Sequence, residues 1–209
     1  HPEGDVWAHT LHCLDAFART RTGESWEDLI VGLAVLCHDL EKPATTYTDE
    51  NGRIRSPRHE IVGLKPAGSF LSRMTRQRAI MDEVLPLVEC HMRPAMLANT
   101  GVSDDAVRRL ANKVKRIDRL IRVCRADMGG RPPKPGDFPA GERILERAQE
   151  LAIADAAPQP LLLGRHLLKL GLRPGPHFSE ILSTAYDAQL AGEFSDEAAA
   201  IAWVKRKTS

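Results

Sequence analysis

The stretch that most constrains this chain is Val35-Leu36-Cys37-His38-Asp39-Leu40-Glu41-Lys42-Pro43, an apolar run ending in a His-Asp pair, a Lys and a helix-stopping Pro. Ser25-Trp26-Glu27-Asp28 reads as the start of the helix that leads there, with Ser25 as its cap. Leu29, Ile30, Leu33, Ala34, Leu36 and Cys37 make that helix apolar nearly all round, which predicts a central place in the fold. A central helix delivers His38 and Asp39 into the interior. Burying a carboxylate beside an imidazole is costly unless both are compensated. A divalent cation compensates both, because each is a metal ligand. The rest of the chain is therefore read for further ligands.

Asp5 is placed to cap a first helix over residues 6–19, with Val6, Leu11, Leu14, Phe17 and Ala18 on its apolar face and His9 and His12 three residues apart. After Pro43, Thr45-Thr46-Tyr47-Thr48 and Arg53-Ile54-Arg55 flank Asn51-Gly52, a hairpin signal at the rim of the His-Asp pair. His59-Glu60 opens a helix through Val62, Leu64, Phe70, Leu71 and Met74, with Pro66 inside it. A helix over residues 78–91 ends in Cys90-His91, again just before a Pro. Residues 104–128 carry Val107, Leu110, Val114, Ile117, Leu120, Ile121, Val123 and Cys124 at helical spacing, which predicts one long helix. It ends at Asp127, where the helix dipole disfavours an anion unless a cation stands near. Its Arg and Lys residues read as a solvated face, with an RNA-facing surface as the alternative. Residues 129–141 read as an ordered surface loop, 142–154 as a helix and 155–160 as a linker. Helices near 178–191 and 195–205 close the chain, which divides into residues 1–154 and a C-terminal extension, 155–209.

Composition narrows the function classes. Lys+Arg of 29 against Asp+Glu of 28 argues against a chain built mainly to coat nucleic-acid phosphates. Cys13, Cys37, Cys90 and Cys124 lie apart in apolar patterns without a C-x-x-C, which predicts reduced core thiols and a cytoplasmic setting. No run reaches membrane-spanning length and no signal-peptide pattern opens the sequence, so no membrane partner is expected.

Taken together, His9, His38 with Asp39, His59, His91 and Asp127 follow an order that resembles the HD superfamily of metal-dependent phosphohydrolases. His1-Pro2-Glu3-Gly4-Asp5-Val6-Trp7-Ala8-His9-Thr10, Cys37 to Pro43, Gly52-Arg53-Ile54 with His59-Glu60, and Ala126 to Arg131 resemble one branch. So do Gly164-Arg165-His166-Leu167-Leu168, Leu170 to Pro176, and Glu193-Phe194. That branch is the C-terminal HD domain of bacterial tRNA nucleotidyltransferases, the CCA-adding enzymes. The chain departs from it in Glu41, where the branch has glycine, and in His166, where an acid is common. No Gly-rich turn with an Asp-x-Asp is present, so the resemblance does not extend to CCA addition.

The resemblance implies an all-α HD-type helical bundle with one small hairpin and a C-terminal helical extension. It also implies two divalent transition-metal ions, drawn from Mn, Ni, Co, Fe or Zn. His9, His38, Asp39 and Asp127 would hold the first, and His59 and His91 the second, with Asp39 bridging. Asp39 and Lys42 are the candidate catalytic pair. Lys42 is the candidate phosphate contact, with Arg58 and Arg131 as further substrate-binding residues, while His12, His166 and His177 read as structural or surface residues. The expected activity is hydrolysis of 2′,3′-cyclic nucleotides or RNA-end phosphates, with phosphomonoesters as a second substrate. A non-catalytic RNA-binding module and a di-iron oxygenase are the rival readings, and the oligomeric state is not fixed by the sequence.

Overall fold

The first helix, α1 (Val6–Arg19), starts at Asp5, whose carboxylate accepts the Ala8 N–H at 2.8 Å. The computed structural model describes residues 5–131 and 138–208. The first four residues of the opening motif, and 132–137 of the expected surface loop, lie outside them. The second helix, α2 (Ser25–Cys37), is capped differently from the expectation. Glu24 holds the cap position without a side-chain bond, and Ser25 is already helical. The Asp28 carboxylate instead accepts the backbone N–H groups of Thr22 at 3.1 Å and Gly23 at 2.9 Å, because it points back toward the loop that enters the helix.

After α2 come the short α3 (Lys42–Thr45) and the hairpin β1 (Tyr47–Thr48) and β2 (Ile54–Arg55), with Tyr47 opposite Arg55 and Thr48 opposite Ile54. Asp49 closes the turn by accepting the N–H groups of Asn51 and Arg53, and Gly52 takes the positive φ of 73° that a side chain would disfavour. The helix expected to start at His59 is two pieces, α4 (His59–Val62) and α5 (Leu64–Met74), jointed at Gly63. Pro66 then falls in the first turn of α5, where its missing N–H leaves no bond unmade.

Next are α6 (Arg78–Cys90), α7 (Arg93–Thr100), α8 (Asp104–Val114) and α9 (Ile117–Gly129). The single helix expected over 104–128 is therefore broken. Lys115 turns the chain with φ of 62°; both helices reach α6 and α10 (Pro139–Glu150), but α9 packs chiefly against α1 and α2. The apolar spacing runs unbroken across the bend and no Gly or Pro marks it, so tertiary packing sets the break. Helix α10 also begins earlier than the expected 142. The chain ends in α11 (Gly164–Lys169), α12 (His177–Leu190) and α13 (Glu197–Thr208).

The result is all-α with one small hairpin. Its buried apolar residues form two clusters. One gathers α1, α2, α5, α6, α8, α9 and α10, and the other gathers α11, α12 and α13 around Leu167, Phe194 and Trp203. All four cysteines are buried and free. No described helix is long and apolar enough to cross a membrane.

Helix α2 touches α1, α6 and α9, as a central helix should. Near their N-terminal ends, α2, α6 and α9 are pinned by one buried guanidinium. Arg119 of α9 donates to both oxygens of Glu27 on α2 at 2.6 Å and to Glu83 on α6. About two to three turns further along each helix lie His38, His91 and Asp127. The Arg119 side chain thus fixes the register of the three helices that bring these residues together. Replacing Arg119 with Met leaves Glu27 with Arg116 and Glu83 with Trp26 as partners, and should cost about 2 kcal/mol in urea unfolding. A loss under about 0.5 kcal/mol would mean that the apolar contacts alone hold the three helices.

Candidate metal centre

His38 and His91 follow the last residues of α2 and α6, where carbonyls of the final turn lack helical partners. The Nδ1–H of each ring meets such a carbonyl, Val35 O for His38 and Val88 O for His91, both at 2.7 Å. His59, first residue of α4, meets Ser56 O at 2.7 Å in the same way. A carbonyl only accepts, so Nδ1 carries the proton in all three rings and the Nε2 lone pair faces the centre. This is how metal-ligating histidines are held. His9 lies in α1 and directs Nε2 at Asp127 Oδ1, 3.0 Å away.

Asp39 stands between these rings. Its Oδ2 is 3.1 Å from His38 Nε2 and 3.7 Å from His9 Nε2, while its Oδ1 is 3.3 Å from His59 Nε2 and 3.9 Å from His91 Nε2. One carboxylate therefore presents one oxygen to each of two groups. The Lys42 ammonium lies 2.7 Å from Oδ2 as an ion pair. Asp127 has its cation too, since Arg131 Nη2 reaches its two oxygens at 2.8 and 2.9 Å. The i,i+4 spacing of Asp127 and Arg131 carried that signal in the sequence. Arg58 is exposed at the rim, with φ of 58° immediately before His59. The six expected ligand residues and Lys42 thus meet in one place, Arg131 is engaged with Asp127, and Arg58 stands outside.

Burial would push the Asp39 carboxyl up, but His38, His59 and Lys42 hold it well below the usual carboxylate range. Asp127 is held low likewise, against its burial, by His9, His38 and Arg131. Burial and the nearby His38 push His91 down to about 4, which keeps that ring neutral and free to ligate. Burial also lowers His38, but the adjacent Asp39 outweighs it and carries His38 above its ordinary value.

A metal fits this donor set. Among the described residues, His38 Nε2 and the Asp39 oxygens are buried with no partner at hydrogen-bond distance beyond one another, the imidazole of His59 and the Lys42 ion pair on Oδ2. His59 Nε2 faces His91 Nε2 at 3.3 Å, and with both Nδ1 atoms protonated these are two opposed lone pairs that call for a cation. Imidazole with carboxylate suits divalent transition metals. Among the described residues, two groups of side chains are close enough to hold an ion, His9, His38 and Asp127 with Cys13, and Asp39, His59 and His91.

Cys13 itself is better read as packing. Its Sγ is 3.4 Å from Nε2 and 3.9 Å from Nδ1 of His9, so the sulfur lies beside the ring, off the Nε2 lone-pair axis. It fills the contact where Gly130 lets α9 approach α1, since a Cβ at 130 would fall 2.4 Å from that sulfur. Burial, then Asp127, push its thiol up. Sequence reasoning had no means to find the three carbonyl anchors, which depend on where each helix ends.

No family model and no solved structure matches the chain. Curated proteins do. An A-adding tRNA nucleotidyltransferase of Deinococcus radiodurans is 29% identical, over 97% of this chain and 46% of its own length. A multifunctional CCA protein of Xanthomonas axonopodis pv. citri is 33% identical, over 91% of this chain and 44% of its own. One from Laribacter hongkongensis is 32% identical, over 76% of this chain and 39% of its own. The chain spans less than half the length of these relatives.

Metal content measured after Mn²⁺ or Co²⁺ loading and gel filtration tests the role of Asp39. Asp39→Asn should lose both ions while its far-ultraviolet dichroism stays that of the parent, and His59→Gln should lose one. Full metal content in Asp39→Asn would contradict a shared carboxylate.

Proposed function

The chain is a relative of the bacterial CCA-adding tRNA nucleotidyltransferases, and from that premise we propose that it is a metal-dependent phosphohydrolase. Its substrate in this reading is a 2′,3′-cyclic phosphate, on a nucleotide or an RNA end, with phosphomonoester hydrolysis as a second activity. The observation that carries the reading is Asp39, a buried carboxylate with one oxygen toward each of two histidine groups and a lysine beside it. The relatives' names supply the RNA side of the proposal, because they include a tRNA-directed enzyme.

His9, His38, Asp39 and Asp127 would hold one ion, and His59 and His91, with Asp39 shared, a second. When bound, such ions supply a hydroxide near neutral pH and positive charge beside the phosphoryl oxygens. The chain's own groups do the rest. Arg131 keeps Asp127 ionised and fixes the plane of its carboxylate. Its Nε is buried without a partner among the described residues, one donor in reserve for a phosphate oxygen. The Lys42 side chain is 10% exposed and Asp127 13%, against none for Asp39, so the centre opens to solvent on the side of Lys42 and Asp127. An incoming phosphate meets the Lys42 ammonium there, and the flexible lysine stem lets it move from Asp39 to the substrate. Arg58, exposed at the rim, adds long-range attraction for the anion.

Hydrolysis of 2′,3′-cyclic AMP by metal-stripped protein, with Mn²⁺, Ni²⁺ or Co²⁺ added back, tests this reading. Turnover should require metal, and Lys42→Ala should lower kcat by about 10²-fold, the usual size of losing one charge-stabilising donor. Turnover that survives chelation, or its absence from metal-loaded protein, would overturn the assignment.

A further inference from the structure

A cleft of about 530 Å³ lies between the start of α1, the short helix α3 and the hairpin, walled by Val6, Trp7, Pro43, Thr46, Ile54 and Ser56. Each wall continues a segment that supplies the candidate metal centre. Pro43 follows Lys42, the Thr46 hydroxyl donates to the Lys42 carbonyl at 2.6 Å, and the Ser56 carbonyl accepts from His59 Nδ1 at 2.7 Å. On its α3 and hairpin sides the cleft therefore borders residues of the centre directly.

The chemistry of the two regions differs. The centre carries the lysine, the arginine and the ligands, whereas the cleft carries an indole and aliphatic groups left in solvent. Trp7 is 59% exposed and Ile54 65%, although both belong to ordered elements beside a buried core. An exposed indole beside a phosphate-attracting centre complements a flat, weakly polar ring attached to a phosphate.

We propose that this cleft holds the base of a nucleotide whose phosphate lies at the metal centre, with Trp7 as the stacking surface. The proposal rests on the phosphohydrolase reading and narrows its substrate to base-bearing phosphoesters. Stacking on an indole is open to every base, so the site tolerates all four and rejects esters without a ring.

Two measurements on the full chain test it. In the first, KM for 2′,3′-cyclic AMP is compared with KM for glycerol 1,2-cyclic phosphate, which has no base. Trp7→Ala should raise the first about ten-fold relative to the second, and Trp7→Phe should restore most of the difference. An equal change for both substrates, or none, would overturn the base site. The second needs no turnover. AMP should quench the fluorescence difference between the wild-type chain and Trp7→Phe saturably, and ribose 5-phosphate should not. Quenching without hydrolysis would leave the base site standing and remove the phosphohydrolase. Hydrolysis without quenching would do the reverse.

Discussion

A fully buried carboxylate in need of cations is the constraint around which this molecule is built. Asp39 sits at the C-terminal end of the central helix, and the ends of α6 and α9 reach the same point. Three helix C-termini directed at one spot place their unsatisfied carbonyls, and the negative ends of their dipoles, beside two carboxylates. Nothing about that arrangement is stable without positive charge. Lys42 and Arg131 supply part of it. The remaining polar atoms, His38 Nε2 and Asp39 Oδ1 among them, are a donor set that a divalent ion suits.

The scaffold solves the positioning problem at both ends of the same helices. Arg119 locks α2, α6 and α9 near their beginnings, and the carbonyls of Val35 and Val88 lock the imidazoles at the ends of the first two. α1 enters in the opposite sense, with His9 near its start, and Gly130 lets α9 come close enough for His9 to meet Asp127. The carbonyl anchors hold His38, His59 and His91 in the tautomer and orientation that a metal ligand needs.

Much of this was readable from the residues. The apolar helix ending in His38-Asp39 announced a central, ligand-delivering element, and the second His before a Pro at 91 repeated the signal. The anion at a helix end, Asp127, demanded a nearby cation, and Arg131 one turn later provides it. What escaped was decided by packing. The bend at Lys115 carries no Gly or Pro, and it lets α9 add α1 and α2 to the α6 and α10 contacts that both helices make. Ser25-Trp26-Glu27-Asp28 matches a cap pattern, yet α2 begins at Ser25 itself and Asp28 works on the preceding loop. The carbonyl anchors of the histidines could not be foreseen without knowing where each helix stops.

The sharing of Asp39 between two ions is tested most directly by anomalous X-ray scattering from Mn²⁺-soaked crystals. Two anomalous peaks are expected, one beside His9, His38 and Asp127 and one beside His59 and His91, with one Asp39 oxygen on each. A single peak, or two peaks that leave Asp39 unbound, would contradict it.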